Sequence, residues 1–157
     1  MPLGWLVSVL ILAPNVLWIR YPPVAPPPVA PASPSPLARL MEAMERVGQV
    51  SAFVIPFFSS VEIEGASTIV ALIVMTIALA CYYAGWARYF LHGRAYRLLY
   101  APLAIVPLPM VISPVLFFMA ASLFLRSWPL AIAALILGIG HLYVSNTEYA
   151  RVLRSTP

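Results

Sequence analysis

The sequence predicts an all-α protein, a bundle of five transmembrane helices with its N-terminus outside and its C-terminus in the cytoplasm. Hydrophobic residues make up 62% of the 157-residue chain and charged residues only 9%, against roughly 45–50% and about 25% in soluble proteins. Five apolar segments follow one another, and arginines cluster in alternate connections between them. Such a chain needs the lipid bilayer as its solvent, so residues 1–157 are predicted to form a single transmembrane domain.

The first span is predicted over about residues 3–20, which are apolar except for a few polar side chains such as Asn15. A Pro-rich linker, 22–36, follows and favours extended polyproline II structure. The competing interpretation is a cleaved signal peptide, because Ala30-Pro31-Ala32 resembles a cleavage site. That site lies far beyond the apolar run, and no basic segment precedes the run, so we expect a retained helix.

The second span is predicted over about residues 40–60, as the continuation of an amphipathic helix. Ser35 and Pro36 form a favourable helix start, a capping hydroxyl followed by proline at the first helical position. Glu42 and Glu45 lie on this helix near arginines that are spaced for local pairing. These two carboxylates either form a collar at the membrane surface or face a polar cavity inside the bundle.

The remaining spans are predicted over about residues 66–87, 99–125 and 129–147. Aromatic and Arg residues follow the third span, a pattern typical of a helix leaving the bilayer. The fourth span contains four prolines, at positions 102, 107, 109 and 114. Proline removes a backbone donor and disturbs the preceding turn, so we expect this helix to be kinked or partly unwound in its first half.

The arginine distribution predicts the orientation of the bundle. With five spans, eight of the nine cationic residues fall on one side, and only Arg126 falls on the other. The positive-inside rule assigns the Arg-rich side to the cytoplasm. The net charge of +4 is explained by topology and by contact with anionic lipid headgroups, so no nucleic-acid partner is expected.

A stripe of small and polar residues on the last helix is predicted to face the bundle interior, because its members recur at steps of three and four. The stripe consists of Ala131, Ala134, Gly138, His141, Ser145 and Glu148. His141 is either a neutral packing residue or part of a functional site. With the other polar groups expected in the cytoplasmic half, the candidate ligand-binding residues are Asn15, Glu42, Glu45, Arg46, Arg97, His141 and Ser145.

No catalytic, metal or cofactor site is predicted. The lone Cys81 has no partner for a disulfide or a metal site, and the second histidine, His92, is expected at the interface.

Four sequence runs resemble a group of small bacterial polytopic membrane proteins with no assigned activity. The runs are ERVGQ with a later PFF, YYAGWARYFLHGR, PLPM followed by SPVLFF, and GIGHLYVS. They cover most of the chain from Glu45 to Ser145. The resemblance implies the bacterial cytoplasmic membrane as the location and implies nothing about chemistry.

Three functions remain open on the sequence. The first is a binding or transport-type module with a cytoplasm-facing polar pocket for a lipid headgroup or a small solute. The second is an accessory or scaffold subunit, whose small-residue stripe packs against a membrane-protein partner or a second copy of the chain. The third and weakest is a lipid-modifying enzyme with His141 as general base, for which the sequence shows no partner acid. Apart from these, the lipid bilayer is the expected partner.

Overall fold

The residues that the structure describes form an all-α bundle of five helices, the fold class and helix number that the sequence predicts. The computed structural model describes residues 4–24, 34–61, 65–103 and 106–155. The helices are α1 (Trp5–Arg20), α2 (Pro36–Val54), α3 (Ala66–Leu91), α4 (Pro109–Phe124) and α5 (Trp128–Ser155). Short 3-10 helices follow α2 and α3, at Ile55–Phe58 and Tyr96–Leu99. These ranges contain no β-strand.

The start and end of α2 follow from local chemistry. The Ser35 hydroxyl accepts a hydrogen bond from the Ala38 backbone N–H at 3.2 Å, and Pro36 occupies the first helical position. Pro56 has no N–H to continue the α-helical pattern, and the chain tightens into a 3-10 turn. The α-helix therefore ends at Val54, before the predicted end at residue 60. Most of the predicted Pro-rich linker, residues 25–33, lies outside the described residues.

The predicted fourth span differs most from the observed structure. The α-helix begins at Pro109 instead of residue 99, after Leu108 in a left-handed conformation with φ of 49°. Pro102 and Pro107 precede the helix, and only Pro114 lies inside it. The expected unwinding of the first half is thus observed as a connection that is not α-helical. We call residues 92–108 the hinge segment; positions 104 and 105 are not described.

Helices α2 and α5 are antiparallel, and two glycines bring their backbones into close contact. A Cβ on Gly48 would lie 2.6 Å from the Leu137 Cα, and a Cβ on Gly140 would lie 2.7 Å from the Met41 carbonyl oxygen. Real Cβ atoms essentially never approach other atoms so closely. Glycine at these two positions therefore permits the two helices to pack directly backbone against backbone.

The C-terminal ends of α1, α3 and α5 meet at one end of the bundle. The Tyr89 hydroxyl donates to the Tyr21 carbonyl oxygen at 3.1 Å, and the Tyr96 hydroxyl donates to Glu148 at 3.3 Å. Helix α2 begins at the same end because it is antiparallel to α5. At the opposite end, Ser60 lies beside Arg126 around a small cavity. Arg126 thus lies at the opposite end of the bundle from the helix ends at which the other arginines cluster.

Many large apolar side chains are exposed on the outer surface of the bundle. Leu40, Val47 and Val50 on α2 are 54%, 58% and 63% exposed, and Ile69 and Ile77 on α3 are about as exposed. Among the described residues, α3 and α5 are the two helices that are long and apolar enough to cross a membrane. Helices α1 and α4 are apolar but shorter. These features indicate a membrane protein.

Candidate functional site

A cavity of about 290 Å³ lies among the five helices. Every helix contributes at least one lining residue: Asn15 from α1, Glu45 from α2, Trp86 from α3, Phe118 from α4 and His141 from α5. Its volume is near the lower end of the ~300–1,000 Å³ typical of small-molecule sites. Most of the lining is aromatic or aliphatic, with a few polar groups, which is the usual composition of a ligand pocket.

The defining polar contact of the cavity joins Glu45 to His141. The His141 Nδ1 and the Glu45 Oε1 are 2.5 Å apart. The His141 side chain is 26% exposed and the Glu45 side chain is 21% exposed. The contact exists because Gly140 brings α5 against the α2 backbone at Glu45. A carboxylate and an imidazole 96 positions apart are therefore held together at the cavity wall.

Four of the seven predicted site residues line this one cavity: Asn15, Glu45, His141 and Ser145. The other three, Glu42, Arg46 and Arg97, are not among its lining residues. Arg46 and Arg97 are exposed, and Glu42 is half-buried. In the described part of the chain no ion pair joins Glu42 to Arg46, a pairing that the sequence allowed. The structure therefore selects Glu45, rather than Glu42, as the carboxylate at the cavity.

Asn15 and Ser145 differ in the hydrogen bonds that their side chains make within the protein. The Asn15 side-chain nitrogen donates to the Ile11 carbonyl oxygen at 2.8 Å and to the Tyr82 hydroxyl at 2.9 Å, so it mainly joins α1 to α3. Ser145 is only 4% exposed and makes no hydrogen bond to His141 within the described structure. A serine nucleophile activated by His141 would require that bond.

The aromatic residues at the end of α3 were predicted to lie near the membrane interface, and three of them are buried inside the bundle. Tyr82, Trp86 and Tyr89 are 3%, 6% and 0% exposed. They are spaced four and three residues apart, so they share one helix face, which packs toward the interior. Tyr82 and Trp86 line the cavity. The periodicity was visible in the sequence, but aromatic residues near an arginine are equally typical of an interface.

Tyr100 closes the cavity at the Arg-rich end. Its hydroxyl lies 3.2 Å from the Tyr96 hydroxyl, which donates to Glu148, and Glu148 also accepts from Arg151 at 2.5 Å. Burial raises the pKa of Tyr100 well above its usual range, with Tyr96 and the nearby carboxylates acting in the same direction. Tyr100 therefore stays protonated and belongs to a neutral wall of the cavity.

Arg88 holds the hinge segment in place beside the cavity. Its guanidinium donates to the carbonyl oxygens of Leu98, Ala101 and Pro102 at 3.1, 2.7 and 2.6 Å. These carbonyls have no helical partner because the segment is not α-helical. Arg88 thereby positions Tyr100 at the cavity. The sequence indicated only an interfacial cation here, since the fold of the hinge segment decides which carbonyls converge.

The described residues contain no group of three His, Cys, Asp or Glu side chains that could hold a metal ion. No protein-family model matches the chain, and no curated protein or solved structure matches it either.

Proposed function

We propose that this chain is a multi-pass protein of the bacterial cytoplasmic membrane that binds a small solute or a lipid headgroup in the cavity of its five-helix bundle. The observation that supports this most directly is the Glu45–His141 pair at the wall of a cavity to which all five helices contribute. In this proposal the protein is a binding or transport-type module with an N-terminus outside and a C-terminus in the cytoplasm.

Membrane placement is supported by the exposed apolar faces of α2 and α3. Soluble monomers rarely expose large contiguous apolar patches, whereas Val47, Val50, Ile69 and Ile77 are all more than half exposed. The successive helices also alternate in direction, as five spans require. The arginines other than Arg126 belong to the end that the positive-inside rule assigns to the cytoplasm.

The Glu45–His141 pair is better explained as part of a binding site than as a simple packing contact, because the polar groups of the cavity are not fully surrounded by protein. Ionisable groups within a membrane bundle are costly and often mark sites of binding or transfer. Glu45 and His141 contact each other and still line an open volume. Ser145 lies one helical turn from His141, on the same face of α5, and lines the same cavity.

The two alternative functions have less support. The small-residue stripe that suggested a scaffold subunit is occupied within the chain: a Cβ on Gly138 would lie 3.0 Å from the Val115 side chain, and Ala134 is 0% exposed. The hypothesis of an enzyme with His141 as general base now has a partner acid, because Glu45 contacts His141. It still lacks a nucleophile bonded to His141 among the described residues.

Native mass spectrometry of the protein released from nanodiscs tests the proposal. We expect a small molecule or lipid to be retained at fixed stoichiometry by the wild type and lost in His141→Ala and Glu45→Gln. The matched control is His92→Ala, since His92 is exposed and outside the cavity lining. If the wild type retains no species, or if His141→Ala and His92→Ala retain it equally, the proposed site is rejected.

A further inference from the structure

We propose that the guanidinium groups of Arg20 and Arg94 form a binding site for the phosphate of an anionic phospholipid, at the end of the bundle where α1 and α3 terminate. The site lies outside the cavity, since neither arginine is among the lining residues. It depends on the proposed membrane placement and is independent of the cavity ligand, so its loss would leave the cavity site standing.

Two arginines that are distant in sequence converge on the ring of Tyr21. The Arg20 Cζ lies 5.2 Å from the ring centroid, and the Arg94 Cζ lies 6.0 Å from it. A guanidinium within about 6 Å of an aromatic ring is attracted by its π electrons. This attraction is weak at an exposed position, and Tyr21 is 45% exposed. The ring therefore gathers the two charges without neutralising them.

Backbone hydrogen bonds hold the two arginines in place. The Arg94 N–H donates to the Tyr89 carbonyl oxygen at 2.9 Å, and the Arg94 carbonyl oxygen accepts from the Val24 N–H at 3.1 Å. The Tyr89 hydroxyl donates to the Tyr21 carbonyl oxygen at 3.1 Å. These bonds join the segment after α1 to the turn after α3, so little ordering is needed when a ligand binds.

Arg94 occupies a backbone conformation that is uncommon for arginine. Its φ is 56°, in the left-handed region, which glycine and asparagine adopt more readily. Residues in such conformations are often found at binding sites. A binding role for the guanidinium group accounts for arginine at this position.

The net charge at the site favours an anion. Within the described part of the chain, no ion pair or side-chain hydrogen bond involves either guanidinium, whereas Arg151 at the same end is paired with Glu148. The C-terminal ends of α1 and α3 each contribute about half a negative charge, so the two arginines leave about one net positive charge. A phosphodiester with one negative charge matches it, and guanidinium groups bind phosphate oxygens through charge-assisted hydrogen bonds.

Exposed apolar side chains beside the arginines favour a phospholipid over free phosphate. Ile19 is 74% exposed, and Leu91, the last residue of α3, is 80% exposed. In the proposed topology these side chains contact acyl chains. The neighbouring His92 is also exposed and adds no negative charge. Aromatic and cationic residues at helix ends typically lie at the depth of the lipid headgroups.

Native mass spectrometry of the full chain in mild detergent, titrated with dioctanoyl phosphatidylglycerol or dioctanoyl phosphatidylcholine, tests this site. The two lipids share their acyl chains and the phosphodiester, and only the first has a net negative charge. We expect one phosphatidylglycerol to bind about tenfold more tightly than phosphatidylcholine. Arg20→Gln and Arg94→Asn should each weaken its binding about tenfold, as expected for a charge-assisted hydrogen bond.

The variants are chosen so that only the charge is lost. Asparagine tolerates the left-handed conformation of Arg94, and Arg20 is exposed at the end of its helix. Arg97→Gln is the matched control, because Arg97 is an exposed arginine of the same hinge segment and makes no contact with the Tyr21 ring. It should bind phosphatidylglycerol as tightly as the wild type.

Equal affinity for the two lipids, or an equal loss in Arg97→Gln and the two site variants, would overturn the inference. Inorganic phosphate that releases the bound lipid at constant ionic strength would assign the site to a soluble anion and overturn the lipid as its source. His141→Ala should bind phosphatidylglycerol as tightly as the wild type. A loss in that variant would place the lipid in the cavity instead and reject the site at Arg20 and Arg94.

Discussion

Replacing Gly140 by alanine should separate α2 from α5 and disrupt the Glu45–His141 pair. The new Cβ would lie 2.7 Å from the Met41 carbonyl oxygen and would also collide with the Glu45 backbone nitrogen. Ordinary van der Waals contact begins at 3.4 Å. The closest contact is 2.4 Å, to the Glu45 nitrogen, so the α2 backbone must move by about 1.0 Å at the residue that provides the carboxylate.

The expected change in the free energy of unfolding follows from two opposing contributions. Overpacking a rigid contact costs about 1–3 kcal/mol, whereas alanine is about 1 kcal/mol more favourable than glycine in a helix. Gly138→Ala is the matched control, because it has the same helical gain and its Cβ would meet only a Val115 methyl group at 3.0 Å. We expect Gly140→Ala to be about 1–3 kcal/mol less stable than Gly138→Ala.

Reversible unfolding in mixed detergent measures that difference, and native mass spectrometry measures ligand retention in the same two variants. Gly140→Ala should lose both stability and the bound species. If Gly140→Ala is as stable as Gly138→Ala and retains the ligand equally well, the close helix contact does not hold the pair together, and the reasoning is refuted.

Two further predictions concern the hinge segment and the topology. Arg88→Lys should destabilise the hinge segment by about 1–2 kcal/mol, because one ammonium group cannot replace a planar guanidinium bonded to three carbonyls. The backbone amides of the hinge segment should then exchange hydrogen faster than in the control variant Arg97→Lys. Equal exchange rates in the two variants would contradict this prediction. In a Cys81→Ser background, Ser60→Cys should react with an impermeant maleimide in intact cells, and His92→Cys only after permeabilisation. The reverse labelling pattern would invert the proposed topology.

Much of the fold was predictable because it depends on local signals. Ser35 and Pro36 define the start of α2 through a side-chain cap and a preset φ. The prolines at 102, 107 and 109 indicated that the fourth apolar segment is not one continuous helix. Antiparallel order then explains why Asn15, Glu45, His141 and Ser145, which are distant in sequence, line one cavity.

Other features depend on contacts between distant parts of the chain. Tyr82, Trp86 and Tyr89 lie inside the bundle because their shared face packs against other helices, whereas composition alone also fits an interfacial belt. Arg88 bonds three carbonyls that converge only when the hinge segment folds back on α3.

The sequence by itself determined the number and order of the helices and the polar residues available to a site, since these follow from apolar length, periodicity and capping. The tertiary structure alone decided which face of each helix meets the cavity. Glu42 and Glu45 differ by only about 60° around the helix axis, too little for a hydrophobic pattern to separate them. The close approach at Gly48 and Gly140 sets the rotation of α2 against α5 and turns Glu45 toward His141.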